Sequence, residues 1–143
     1  MKKIITFNLI VACFFYSCTK EEGEGGSSVI TGKVYELTLY QEFNDTMSWW
    51  DTIEYKLDFE KEVYIIYSDD ENDIYDDSFD THWNGEYRFE FLRKGNYTIY
   101  TYSSYDTSGI FSGSYPIFKH VKINKDNTTF VVDDFIILKK VDD

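Results

Sequence analysis

The chain has 143 residues, 26 acidic against 14 basic side chains, a net charge of −12 at pH 7 and 20% aromatic content. A chain so acidic lacks the basic footprint that nucleic acid or anionic headgroups require, so neither is expected as a docking partner. Its only cysteines are Cys13 and Cys18, which leaves too few thiols for a disulfide framework or a zinc cluster.

In chain order, Met1-Lys2-Lys3 gives a basic start and Ile4 to Tyr16 an apolar run broken only by Thr6 and Asn8. The run is shorter than the ~20 residues of a spanning helix and ends in Ser17-Cys18, followed by polar Thr19-Lys20-Glu21-Glu22. Phe15-Tyr16-Ser17-Cys18 resembles a bacterial lipoprotein signal, which puts a small residue before the acylated cysteine. The resemblance implies that Cys18 carries diacylglycerol through a thioether and that residues 1–17 are removed. Lys20-Glu21-Glu22 is similar to the surface-export signal of certain gut Gram-negative lipoproteins, which implies an outer-membrane anchor facing the cell exterior. Loss of Lys2 and Lys3 takes the net charge from −12 to −14. Gly23-Glu24-Gly25-Gly26-Ser27-Ser28 reads as flexible, so residues 18–28 are expected as lipidated cysteine and tether, and 29–141 as one domain.

Within that domain the hydrophobic period is two. Ile30 opens a strand running towards Tyr40. Tyr55, Leu57 and Phe59 alternate with Glu54, Lys56 and Asp58, and a turn at Glu60-Lys61 leads into an apolar strand from Val63 to Tyr67. Residues 68–82 read as an acidic loop. Asn84-Gly85 predicts a turn, after which Tyr87, Phe89 and Phe91 share one face and Glu86, Arg88 and Glu90 the other. Lys94-Gly95-Asn96 predicts the next turn. Tyr97 and Ile99 then point inward, with Tyr100 and Tyr102 on the outer face beside Arg88. Ile117–Ile123 and Thr129–Leu138 complete the pattern around a turn at 124–127, and Pro116 sits at a strand entry.

Six or seven strands without a helical period predict an antiparallel β-sandwich. Gly32-Lys33-Val34, Val63-Tyr64-Ile65 and Gly85-x-Tyr87-x-Phe89-x-x-Leu92-x-x-Gly95-x-Tyr97-x-Ile99 resemble the carboxypeptidase regulatory-like, or transthyretin-like, domain. The resemblance spans most of residues 29–138 and implies an all-β, single Greek-key sandwich of about seven strands. Such modules commonly serve cell-surface proteins in accessory, stalk or adhesion roles. Gln41 to Asp51 departs from that pattern and reads as a polar inserted loop carrying Trp49 and Trp50.

The candidate sites follow from residue chemistry. Asp69-Asp70-Glu71-Asn72-Asp73 supplies oxygens enough for calcium, with Asp69, Asp70, Glu71 and Asp73 as ligands, although it lacks the glycine and distant glutamate of the helix-loop-helix motif. Trp49, Trp50 and Trp83 are candidates for stacking on a sugar ring or anchoring a protein. His82 and His120 sit in no nucleophile motif, so the expectation is a non-catalytic binding, adhesion or spacer module with no required cofactor. The alternatives are a carbohydrate-binding accessory of polysaccharide uptake and a calcium-binding module.

Overall fold

The computed structural model describes residues 21–44, 47–107 and 111–139, with side chains described for 21–38, 56–104 and 113–138. Cys18 and the signal lie outside the described residues. Nine strands are described: β1 (Glu24–Asn44), β2 (Met47–Leu57), β3 (Glu62–Ile66), β4 (Asp77–Asp80), β5 (Glu86–Leu92), β6 (Gly95–Thr107), β7 (Phe111–Ile123), β8 (Thr129–Val131) and β9 (Phe135–Lys139). No helix is present among the described residues, so the all-β class read from the alternation holds.

β1 organises the first sheet. Its first half pairs antiparallel with β5 on one edge and parallel with β8 on the other; its second half pairs antiparallel with β2 and parallel with β9. The exchange of partners falls at Val34, whose N–H donates to Gly85 O at 2.9 Å and whose carbonyl accepts from Asp58 N at 3.0 Å. One residue therefore closes the β5 ladder and opens the β2 ladder on the same edge. The second sheet has the order β4-β3-β6-β7, antiparallel throughout.

The two sheets enclose one core. Ile30, Val34, Tyr87, Phe89, Leu92, Phe135 and Ile137 come from the first sheet, and Val63, Ile65, Tyr97, Ile99 and Ile123 from the second. Burial of this kind is the dominant favourable contribution to folding, at roughly 25 cal/mol per Å² of apolar surface. Tyr97 ties the sheets' ends to the chain start: its hydroxyl donates to Arg93 O at 2.8 Å and accepts from Gly23 N at 3.0 Å.

Several expectations need correction. The stretch taken as tether, Gly23 to Ser28, is largely strand β1 and bonded in place. Arg93 N donates to Gly23 O at 2.9 Å, Ser28 Oγ is buried and donates to Lys125 O at 2.8 Å, and Asn127 N donates to Ser27 Oγ at 3.1 Å. Its glycines serve close approach rather than flexibility, since a Cβ at Gly26 would overlap the Leu92 carbonyl. The ordered domain thus starts about five residues earlier than the boundary at 29.

Phe91 does not join Tyr87 and Phe89. The register of β1 against β5 shifts between Ser28 and Ile30, Phe91 takes φ 57°, and its ring is 66% exposed while Leu92 turns inward. A bulge adds one residue to a strand and so reverses the phase of everything beyond it. Phe59 likewise lies past the end of β2 and is exposed, because Glu60 turns the chain at φ 56°. The acidic loop contains the short edge strand β4, and Thr129 to Leu138 is two strands rather than one. Pro116 lies inside β7 opposite Tyr102; β6 is the only described partner of β7, so the missing donor falls on an edge. Gln41 to Asn44 and Met47 to Asp51 are no loop insertion, for they pair as the far end of the β1–β2 hairpin.

Candidate ligand-binding face

Cross-strand register places the outward side chains of the second sheet. Tyr64 on β3 lies opposite Ser78 on β4 and Tyr100 on β6, and Tyr100 in turn lies opposite Phe118 on β7. The next row out carries Glu62 opposite Asp80, and Tyr102 opposite Pro116. Their inward neighbours Val63, Ile65, Ile99 and Thr101 are buried, so period two forces the tyrosines to the outside.

The rings form one cluster. Tyr64 and Tyr100 stand face to face across their strands, centroids 4.9 Å apart and planes 15° from parallel. Tyr102 meets both edge-on, at 5.9 Å from Tyr64 and 5.8 Å from Tyr100, and Tyr100 also packs on Phe118 at 5.2 Å. Tyr75 reaches back from the acidic loop to set its ring 4.9 Å from Tyr64. Such edge and offset contacts suit the ring quadrupoles. Tyr100 is covered, whereas Tyr75 and Tyr102 remain 48% and 39% exposed.

Glu62 gives the cluster its charge. The Tyr64 hydroxyl donates to Glu62 Oε2, and that bond to a carboxylate is the main reason the phenol's pKa is held above its usual range, with burial second. Burial raises Tyr100 too, followed by the neighbouring Tyr102, Tyr75 and Glu62. These phenols therefore stay neutral hydrogen-bonding groups well past physiological pH.

The acidic loop lies along the same face and is held there by hydrogen bonds from its own side chains and from the strands beneath it. Tyr67 N donates to Asp76 Oδ2 at 2.6 Å, Thr98 Oγ1 donates to Ser68 O at 2.9 Å, and Glu71 Oε1 lies 3.0 Å from His120 Nε2. Of the calcium candidates, Asp70 Oδ1 accepts from Asn72 N and Nδ2, and the first of these bonds is the larger cause of its lowered pKa. Asp73 Oδ1 accepts from Ile74 N, Glu71 is engaged with His120, and Asp69 borders a shallow cleft with Asn96, His120 and Lys122. The four acids are thus spread along the loop. Among the described residues, no group of three or more His, Cys, Asp or Glu side chains converges to hold a metal ion.

The tryptophan candidates separate. Trp49 and Trp50 are adjacent on β2, opposite Glu42 and Gln41, and their side chains lie outside the described set. Trp83 caps the turn from His82 to Gly85, closed by Gly85 N donating to His82 O at 2.8 Å, and is 86% exposed. No ring contact engages it among the described residues. It follows Asp80 by three positions, at the Glu62 end of the second sheet.

No protein-family model and no curated protein matches this chain. Among solved structures, a Pseudomonas aeruginosa protein provisionally named as carbohydrate binding aligns at 14% identity and a TM-score of 0.46. The alignment covers 87% of this chain and 94% of that one. At that degree of likeness, the function has to be argued from this chain's own side chains.

The tyrosine cluster was missed in the sequence. Tyr64 and Tyr100 belong to separate strands 36 positions apart, and only the pairing of β3 with β6 brings them together. Tyr100 and Tyr102 were expected beside Arg88, but Arg88 pairs with Thr31 in the other sheet. The available signal was weak: tyrosine at the outward positions of two apolar strands, Val63-Tyr64-Ile65 and Ile99-Tyr100-Thr101-Tyr102.

Proposed function

We propose that this chain is a non-catalytic, lipid-anchored module of the outer membrane that binds a glycan on the tyrosine face of its second sheet. The observation that carries the reading is the gathering of Tyr75 and Tyr102 around Tyr64, whose hydroxyl is bonded to Glu62, on a sheet face that no other described strand covers. Aromatic surface with hydroxyl and carboxylate groups at its edge suits a sugar, which offers an apolar ring face and a perimeter of hydroxyl donors. Anchoring would run through Cys18, and the external leaflet is the location that the residues after it favour.

The finer fold assignment belongs to the same proposal. Tyr97, bonded to the carbonyl four residues upstream, is the kind of corner found in Greek-key sandwiches. Counting β8 and β9 as one interrupted strand and setting aside four-residue β4 reduces the nine strands to the seven of a transthyretin-like domain.

Calorimetry against a panel of polysaccharides tests the binding role. A ligand should emerge, and Tyr64→Ala/Tyr102→Ala should weaken it at least about tenfold, the equivalent of two aromatic contacts. Unchanged affinity in that variant, or loss only on Trp83→Ala, would move the site away from the cluster. Turnover of any bound polysaccharide would overturn the non-catalytic part.

A further inference from the structure

From the charge around the cluster we infer that the glycan carries free amino groups, received as ammonium ions by Glu62 and Asp80. This rests on the glycan-binding reading above and specifies its ligand. Glu62 and Asp80 are direct partners in the β3–β4 register, so their side chains leave the same face. Cross-strand partners on one face hold their Cβ atoms about 5 Å apart, and like charges so placed repel. The four ion pairs of the described residues employ Glu36, Glu90, Asp126 and Glu71, and so relieve neither. Glu62 accepts the Tyr64 hydroxyl, a neutral partner, and Asp80 has no described side-chain partner.

An ammonium between these carboxylates would end the repulsion and lie beside the ring of Tyr64, whose hydroxyl reaches Glu62. The electron-rich faces of such rings attract cations within about 6 Å of the centroid. A pyranose bearing the amine would place its ring against Tyr102 and Tyr75, the more exposed members of the cluster. The opposite charge class is disfavoured: a uronate or sulfate would bring a third negative group to a chain already at −12. Neutral and N-acetylated sugars would keep the stacking and lose the ion pair.

The test uses the full chain in detergent, with calorimetry against four probes: glucosamine hexasaccharide, N-acetylglucosamine hexasaccharide, cellohexaose and hexalysine, in mildly acidic buffer. The glucosamine oligomer should bind about tenfold more tightly than the other two sugars, as one ion pair with one cation–π contact allows. Added salt should erode that preference. Glu62→Gln and Asp80→Asn should each abolish the preference while leaving residual sugar binding, with melting midpoints unchanged or slightly raised. Equal binding of all three sugars, or a preference that survives both substitutions, would overturn the amine assignment and leave the glycan reading standing. If no sugar binds, both fall. Hexalysine binding as tightly as the amino sugar would overturn the glycan reading and reduce the site to ammonium recognition.

Discussion

Replacing Tyr87 by phenylalanine removes one oxygen atom from the middle of the core and leaves the ring in place. Tyr87 is fully buried against Phe89 and Phe135, and its hydroxyl has no hydrogen-bond partner among the described residues. Burial, with the charge of Asp134 second, holds its phenol in the neutral form. A buried hydroxyl without a partner forfeits its water hydrogen bonds and gains nothing in return, a loss of roughly 1–3 kcal/mol. Phenylalanine avoids that loss, while the small void left behind returns part of it. A net stabilisation of about 1 kcal/mol is expected, equivalent to about 3–6 °C in Tm for a domain of this size. Tyr97→Phe provides the opposite control: its hydroxyl accepts from Gly23 N and donates to Arg93 O, so its removal should destabilise by roughly 1–3 kcal/mol. Urea unfolding followed by circular dichroism reads both, and an unchanged denaturant slope confirms that midpoints can be compared. If Tyr87→Phe destabilises as much as Tyr97→Phe, the reasoning is refuted; the hydroxyl would then be bonded through a buried water.

Further predictions concern the same core and the face beside it. Gly32→Ala would drive a Cβ into the Tyr87 hydroxyl, its direct partner across β1 and β5, and should cost about 1–3 kcal/mol; the cost should shrink in the Tyr87→Phe background, read as a double-mutant cycle in urea. Base should unfold the protein early. Tyr67 is pushed from 10.0 up to about 12, first by burial and then by Glu24, Asp77 and Asp76, so the native state binds the proton more tightly than the unfolded one. Its contribution is complete below about pH 10 and is lost as pH rises towards about 12, together with those of Tyr97 and Tyr100; phenolate absorbance should lag free tyrosine until the circular dichroism collapses. Millimolar calcium should leave the melting midpoint unmoved, because the Asp70 and Asp73 carboxylates already bond their own loop; a clear rise would show that the loop rearranges to ligate the ion.

Much of the architecture was legible because one face of each sheet is buried and period two has few readings. The turn at Gly85 and the inward set Tyr87, Phe89, Tyr97 and Ile99 stand where the sequence put them, and the strand expected over Val63 to Tyr67 is displaced by one residue, to Glu62–Ile66. The misreadings share a cause, which is that composition reports average behaviour while pairing is specific. Glycine and serine at 23–28 resemble a linker until Leu92 and Lys125 are seen against them. Phe91 follows the alternation until a one-residue bulge, invisible in sequence, turns it out. The candidate face was the least legible part, since it depends on which strands are neighbours, a property of the whole topology. The tryptophans drew attention by their rarity, while the tyrosines that gather were hidden by their number.

The course of β1 also has a mechanical side. A pull entering from the N-terminal side meets the fold by Gly23, bonded through its N–H and its carbonyl, and then Glu24, the first residue of a strand 21 residues long. At about 3.3 Å per residue that strand extends roughly 65–70 Å, with hydrogen-bonded neighbours on both edges along residues 29–31 and again along 35–38. Tension along its axis loads those ladders in shear, so many bonds resist together, where a peeling geometry would break them one at a time. A chain tugged from its start is therefore gripped by its own longest element, and the tyrosine face, carried by the other sheet, lies off the line of force.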